Sequence, residues 1–145
     1  MNRPYMLDAG PLGKIAHPKA KLDIALWFDS MLDKGKTIII AEIADYEIRR
    51  SLLLAGLDKS IAKLDNLKST LQYLPITTEA MLKAAELWAD ARRKGTPTAD
   101  PKELDCDVVL AAQALSVNAI VVTENVGHLS RYVEAKHWKD ISSSN

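Results

Sequence analysis

Three acidic side chains stand at positions where an acid is expensive. The apolar run YMLDAGPLG stops on Asp8, Glu47 lies in DYEIRR among Ile43, Ala44, Ile48 and Leu52, and Asp107 lies in LDCDVVLAAQAL. A carboxylate at the end of a buried strand, or in the first turns of a helix, costs desolvation energy unless a cation compensates it. Clustered without one, such acids raise each other's pKa and destabilise the fold. Three of them point to a single bound metal ion. Oxygen-only ligands suit Mg²⁺ or Mn²⁺, and offer little to zinc or copper, which prefer nitrogen and sulfur.

Each acid also has a plainer reading. Asp8 suits the N-cap of a helix beginning at Pro11 or just before it. Glu47 falls about two turns into its helix, too deep to compensate the helix dipole, and as a lone residue reads as an exposed glutamate paired with Arg50 or Ser51. Asp105 and Asp107 are two positions apart, about 200° around a helix, so regular geometry cannot aim both at one site. Asp105 suits the N-cap, which leaves Asp107 in the first turn as the ligand and Asp105 as a supporting acid or a ligand to a second metal. Past the β-branched run ANAIVV come Thr123, Glu124 and Asn125, a hydroxyl and an amide able to hold a carboxylate in place or to bind a metal's water shell. His128 and His137 lack a cysteine or second histidine at zinc-ligand spacing and read as loop or surface residues.

The elements that must position these groups alternate between strands and helices. Tyr5 to Leu7 is a short strand, Lys19 to Lys34 a helix stopped by Gly35, and Thr37 to Ile40 a strand buried on both faces. Ala41 to Ala55 is a helix closed by Gly56, and Asp58 looks like the N-cap of another reaching about Ser69. Leu71 to Ile76 is a weaker strand, demoted by Pro75. Thr78 to Lys94 is the longest helical pattern, GTPTADPKELD a loop, Asp105 to Ser116 a helix, Ala119 to Val122 a strand, and Tyr132 to Trp138 a last edge strand. This alternation predicts a parallel α/β sheet with helices on both faces, in which ligands sit at the carboxyl ends of strands where the strand order switches. Asp8 and Asn125 both fall just past such ends.

Composition narrows the classes. The chain has 145 residues, 48% of them apolar, which suits one domain with a real core over 1–145. Its 19 basic and 19 acidic side chains cancel, which argues against tight nonspecific nucleic-acid binding and leaves any such contact to local clusters such as Arg49, Arg50, Arg92, Arg93 and Lys94. The single cysteine, Cys106, excludes an internal disulfide and any multi-cysteine zinc site, and its flanking acids Asp105 and Asp107 disfavour a thiolate. No apolar stretch is long enough for a membrane span, and the N-terminus lacks the pattern of a signal peptide, so a soluble, cytoplasmic protein with no membrane contact is expected.

Taken together, LDAGPL at the first strand, YEIRR after the second, DVVLAAQAL at the third acid and IVVTENVGHLSRY after the fourth strand resemble the PIN domain. The likeness is greatest to the ribonuclease toxins of VapC type from prokaryotic toxin–antitoxin pairs. Each motif alone is weak; their order and spacing are more specific, and the resemblance spans essentially the whole chain. It implies a three-layer α/β/α fold around a mostly parallel sheet of about five strands. By position it makes Asp8, Glu47 and Asp107 the acids of the metal site and Thr123 the supporting hydroxyl. Two departures stand out. Where many members have a serine, threonine or asparagine after the first acid, this chain has Ala9 and Gly10; where a fourth acid is usual it has Asn125, which can ligate through its carbonyl oxygen but adds no charge.

The resemblance further implies a Mg²⁺- or Mn²⁺-dependent endoribonuclease that hydrolyses phosphodiester bonds to a 5′-phosphate and a 3′-hydroxyl, with RNA as substrate, an antitoxin as partner and a homodimer as assembly. Because the acids repel phosphate, RNA must be held partly by a basic rim, for which Arg49, Arg50 and Lys102 are candidates by their nearness in sequence to the acids. Helices carrying Trp27, Phe28 and Leu52 to Leu54 are candidates for a dimer or antitoxin contact, or for core. A PIN-like binding module with weak or lost catalysis is the alternative, hinted at by Ala9 and Asn125. A phosphoacceptor receiver domain ranks below both, since Leu71 to Ile76 leads to Thr77 and Thr78 rather than to an aspartate.

Overall fold

The computed structural model describes residues 2–94 and 101–142, with the backbone alone for 101–104. Three runs rich in apolar and β-branched residues form the centre of a sheet: β1 (Tyr5–Leu7), β2 (Ile38–Ala41) and β4 (Ile120–Val122). Every residue of β2 and β4 is buried, as expected of strands covered on both faces. With β3 (Gln72–Leu74) and β5 (Ala135–Lys136) they make a five-stranded sheet, ordered β3-β2-β1-β4-β5, in which every pairing is parallel. Helices flank it in a three-layer α/β/α arrangement.

The helices are α1 (Ala9–Ala16), α2 (Leu22–Asp33), α3 (Glu42–Ala55), α4 (Asp58–Thr70), α5 (Thr78–Arg93), α6 (Pro101–Ser116) and α7 (Val126–Leu129). Gly56 ends α3 in the left-handed region, φ +70°, where a side chain would be strained. Thr77 caps α5 by accepting the Ala80 N–H at 3.0 Å. Among the described residues, no helix is long and apolar enough to cross a membrane.

The main core gathers Met6 and Leu7 of β1, Ile38 to Ala41 of β2, Leu12 of α1, Leu64 of α4, Leu110 of α6 and Val121 of β4; a smaller one, with Ala80, Ala84, Val108, Val109 and Ala112, joins α5 to α6. Phe28 and Leu52 belong to the core, and Trp27 packs on Trp138 with ring centroids 6.2 Å apart. Leu53 and Leu54, by contrast, are exposed. Gln113 is buried inside this apolar surround, where its amide must be satisfied. Its Nε2 donates to Leu74 O at 2.9 Å and its Oε1 accepts from Ile43 N at 3.3 Å, which ties α6 to the end of β3 and to the start of α3.

Several expectations need correction. Asp58 is the first residue of α4, after Leu57 at the N-cap. Helix α6 begins at Pro101, so Asp105 lies inside it rather than at its N-cap, and Asp107 is in its second turn. Proline favours the first helical position, because its missing N–H has no partner there in any case. Residues 95–100 of the expected loop lie outside the described residues. The final strand covers only Ala135–Lys136, and the short α7 precedes it.

Candidate active site at the switch point of the sheet

Strand order reverses between β1 and β4, and Leu7 stands opposite Val122 across that boundary. The next residue on each strand carries the site. Asp8 ends β1 and Thr123 ends β4, and the Thr123 hydroxyl donates to Asp8 Oδ2 at 2.8 Å. Asp8 Oδ1 accepts from Ala9 N at 2.8 Å and so caps α1. The capping and the site readings of Asp8 therefore hold together. Each oxygen keeps a lone pair beyond these bonds. Burial pushes the Asp8 carboxyl above its ordinary range; the Thr123 and Ala9 hydrogen bonds oppose that, and the nearby Glu124 charge adds to it.

Thr123 is fully buried, and its oxygen also accepts from Asn125 N at 2.9 Å. One hydroxyl thus fixes both Asp8 and the loop that leads into α7. Replacing it with valine keeps the shape but strips Asp8 Oδ2 of its donor and orphans the Asn125 N–H. Thr123→Val is expected to lower thermal stability by about 1–3 kcal/mol and any activity that needs Asp8 by roughly 10–100-fold. Urea unfolding and a cleavage assay check the two effects, and loss of stability without loss of activity would remove Thr123 from the site.

Glu47 and Asp107 are carried by two helices whose first turns lie at this same edge of the sheet. Helix α3 leaves the carboxyl end of β2, and α6 runs back toward the start of β4, which puts its first turns at that edge. Helix α3 meets α1 at Gly13, where a Cβ would fall 2.7 Å from Ile48 Cδ1; the absent side chain permits this approach, one residue from Glu47. Glu47 and Asp107 share a neighbour in Cys106, whose half-buried thiol is pushed up first by burial, next by Glu47, and also by Asp107 and Asp105. That thiol is a poor nucleophile.

The carboxylates do not form a finished cage. Among the described residues, no three His, Cys, Asp or Glu side chains stand close enough together to hold a metal ion. Asp107 Oδ2 lies 3.3 Å from His128 Nε2 instead. His128 is thus a half-buried neighbour of a site acid rather than a surface histidine; a four-residue helix carries too little periodicity to reveal it in sequence. His137 caps the last 3₁₀ turn, accepting from Lys139 N at 3.1 Å, and lies 3.9 Å from Glu124. The donor chemistry still suits a hard dication: carboxylate, hydroxyl and amide oxygens dominate, and the one thiol is disfavoured as an anion.

The remaining candidates separate. Glu124, adjoining the site, is paired with Lys14 at 2.7 Å, which holds its carboxyl below the usual range. Asn125 precedes α7, is exposed and donates its backbone N–H to Thr123. Asp105 lines the groove between α5 and α6 with Met81, Trp88 and Val108, on the opposite side of the helix from a common site with Asp107. Arg49 is committed elsewhere, to Asp45 at 2.9 Å and Asp65 at 2.7 Å, and this pairing raises its already high pKa. Arg50 stays near the site: its guanidinium lies 5.1 Å from the Tyr46 ring and feels Glu47. The Lys102 side chain lies outside the described residues.

No protein-family model and no curated protein matches the sequence. Solved structures do. A VapBC2 complex from Rickettsia felis, bound to a DNA fragment from its promoter, contains a chain similar to this one at 22% identity and a TM-score of 0.75, covering 92% of this chain and 98% of that one. A DNA-bound VapBC from Salmonella typhimurium matches at 24% identity and 0.74, covering 94% and 98%. FitAcB from Neisseria gonorrhoeae matches at 18% and 0.70, covering 94% and 99%. Strand order and these likenesses agree: the chain shares the fold of these structures, a three-layer α/β/α PIN-like fold around a parallel sheet.

Proposed function

We propose that this protein is a Mg²⁺- or Mn²⁺-dependent endoribonuclease and the toxin of a toxin–antitoxin pair. The observation that carries the reading is Asp8: a largely buried carboxylate at the switch point of a parallel sheet, oriented through both oxygens by Ala9 and Thr123. A side chain kept at that desolvation cost and held in one rotamer by two donors is placed for chemistry rather than for stability. Glu47 on α3 and Asp107 on α6 would hold the ion with it, and Asn125 could add a neutral oxygen.

When bound, the dication would neutralise the scissile phosphate and lower the pKa of a ligated water. The protein's own groups set the frame. Thr123 and the α1 N-terminus hold Asp8 in one orientation. His128 steadies Asp107 from its other side. Lys14 neutralises Glu124, so that this acid does not add to the repulsion of an incoming phosphate. Exposed Leu53 and Leu54 supply apolar surface for a protein partner, and the VapBC and FitAcB complexes among similar structures support an antitoxin as that partner.

The test is cleavage of total RNA by purified protein with Mn²⁺, with and without EDTA. The reading expects cleavage that EDTA abolishes and that Glu47→Gln and Asp107→Asn each lose. Equal cleavage by wild type and both variants would overturn the site. No cleavage by the wild type, together with retained RNA binding, would establish the non-catalytic binding module instead.

A further inference from the structure

Beside Asp8 the surface opens into a cleft that the acids do not explain. It has a volume of about 370 Å³ and runs along α1 from Ala9 and Gly10 past Lys14 to His17, Lys19 and Lys21. A second cleft of about 550 Å³ shares His17 and Lys19 with the first and continues to Leu57, Asp58 and Lys59 at the start of α4. Both lie in the range of about 300–1,000 Å³ that ligand clefts occupy. The shared residues make them one track that begins at the residue following Asp8.

The charge along that track is one-sided. Lys19, Lys21 and Lys59 are exposed, and among the described residues none of them forms an ion pair. Of the acids nearby, Glu124 is taken by Lys14, and Asp58 alone lines the second cleft. His17 Nδ1 accepts the Lys19 N–H at 3.0 Å, which leaves Nε2 as the ring's donor. Gly10 keeps the floor next to Asp8 at backbone height, where an added Cβ would meet only Glu124 Oε1 at 3.7 Å, so a chain lying there can approach closely. The molecule as a whole is electrically balanced, with 19 basic and 19 acidic groups. A concentration of unpaired lysines leading away from an acidic centre is therefore a local feature and not a consequence of net charge.

We propose that this track carries the backbone of single-stranded RNA away from the site, with Lys19, Lys21 and Lys59 as its phosphate contacts. The proposal rests on the ribonuclease reading above and assigns the basic rim that this reading requires. Unpaired ammonium groups spaced along an open groove fit a flexible polyanion. Exposed Leu57 also lines the second cleft, and Leu22, Leu26, Leu53 and Leu54 are exposed as well; the three lysines without an ion pair are what favour a polyanion over a protein segment here.

The test uses full-length protein carrying Asp8→Asn, so that substrate survives, and a fluorescently labelled single-stranded oligoribonucleotide titrated across a range of salt. Adding Lys19→Gln, Lys21→Gln and Lys59→Gln together is expected to weaken binding at least tenfold at low salt. The same change should reduce the slope of log affinity against log salt by about 2, since each phosphate contact on a single strand contributes about 0.7. With Asp8 intact, the three lysine changes should raise KM for a long RNA and leave cleavage of a dinucleotide-length substrate unchanged. Thermal unfolding of each variant confirms the fold. If wild type cleaves but the triple variant keeps the parent's affinity and slope, the track is overturned and the nuclease reading stands. If wild type neither cleaves nor binds RNA, both fall. If RNA binding is intact but the triple variant no longer binds the small protein encoded by an adjacent gene, the cleft docks protein and the proposal is overturned.

Discussion

Asp8→Asn is expected to abolish RNA cleavage and to leave the protein at least as stable as the wild type. Asparagine caps a helix as well as aspartate does, so α1 keeps its N-terminus. Its amide still fits between Ala9 N and Thr123 Oγ1. What disappears is a negative charge that burial makes unfavourable. Several kcal/mol of lost phosphate and metal stabilisation corresponds to a fall in kcat of roughly 10³-fold. The sign of the pH dependence follows from the raised Asp8 pKa. Between the ordinary value of 3.8 and the higher folded value, the native state binds more protons than the unfolded state, so wild-type stability declines as pH rises through that window. Asparagine has no such slope. Measured by thermal unfolding in EDTA, the variant should match the wild type at the acidic end and surpass it above the window. A variant that cleaves RNA would show that Asp8 serves only as a helix cap, and one that melts well below wild type at neutral pH would show that its buried charge stabilises the fold.

The second large effect lies in the ion cluster that claims Arg49. Asp45 is 7% exposed and receives Arg49 through Nη2 at 2.9 Å and Nε at 3.3 Å, with Lys68 at 3.5 Å; Asp65 draws on the same guanidinium at 2.7 Å. Arg49→Met removes the main partner of a buried carboxylate. Breaking such a pair from one side costs about 3–5 kcal/mol, and the remaining Lys68 places the expected loss at the lower end, about 3 kcal/mol. Asp45→Leu in the same chain should restore most of it, because replacing both charges with apolar groups avoids the stranded acid. Urea unfolding of the two single variants and the double variant gives the coupling directly. RNA affinity per folded molecule should be unchanged in Arg49→Met, and a drop would return this arginine to the substrate rim. The change of role has a plain geometric cause: Arg49 is two positions beyond Glu47 on α3, about 200° around the helix.

Much of the fold was legible in the sequence because the central strands are short unbroken apolar runs bounded by glycine, proline or an acid, as in YML before Asp8 and IIIA before Glu42. Glycine stops marked the ends of α2 and α3 for the same reason. The loss came where a signal carries two meanings. In GTPTADPKELD, Pro101 reads as a loop residue and as the first residue of a helix equally well, and choosing the loop moved the N-cap to Asp105. The pairing of Asp8 with Thr123 was legible in kind, since both follow strands, but only strand order makes β1 and β4 neighbours. The lysine track was not legible at all. Its members come from a connection and from the first turn of α4, and no periodicity links residues 19, 21 and 59. The i, i+4 spacing of Asp45 and Arg49 was in plain view, and burial of Asp45 is what turns an ordinary surface pair into a structural one.

Gln113 acts as a cross-brace between the helices that carry two of the acids. Its amide reaches from α6 to the first turn of α3 and to the tip of β3, so the helix bearing Asp107 and the helix bearing Glu47 are tied together by a group that carries no charge. A neutral amide bond between these two helices does not depend on the ionisation of the acids they carry, so this cross-brace persists across the pH range in which those acids titrate.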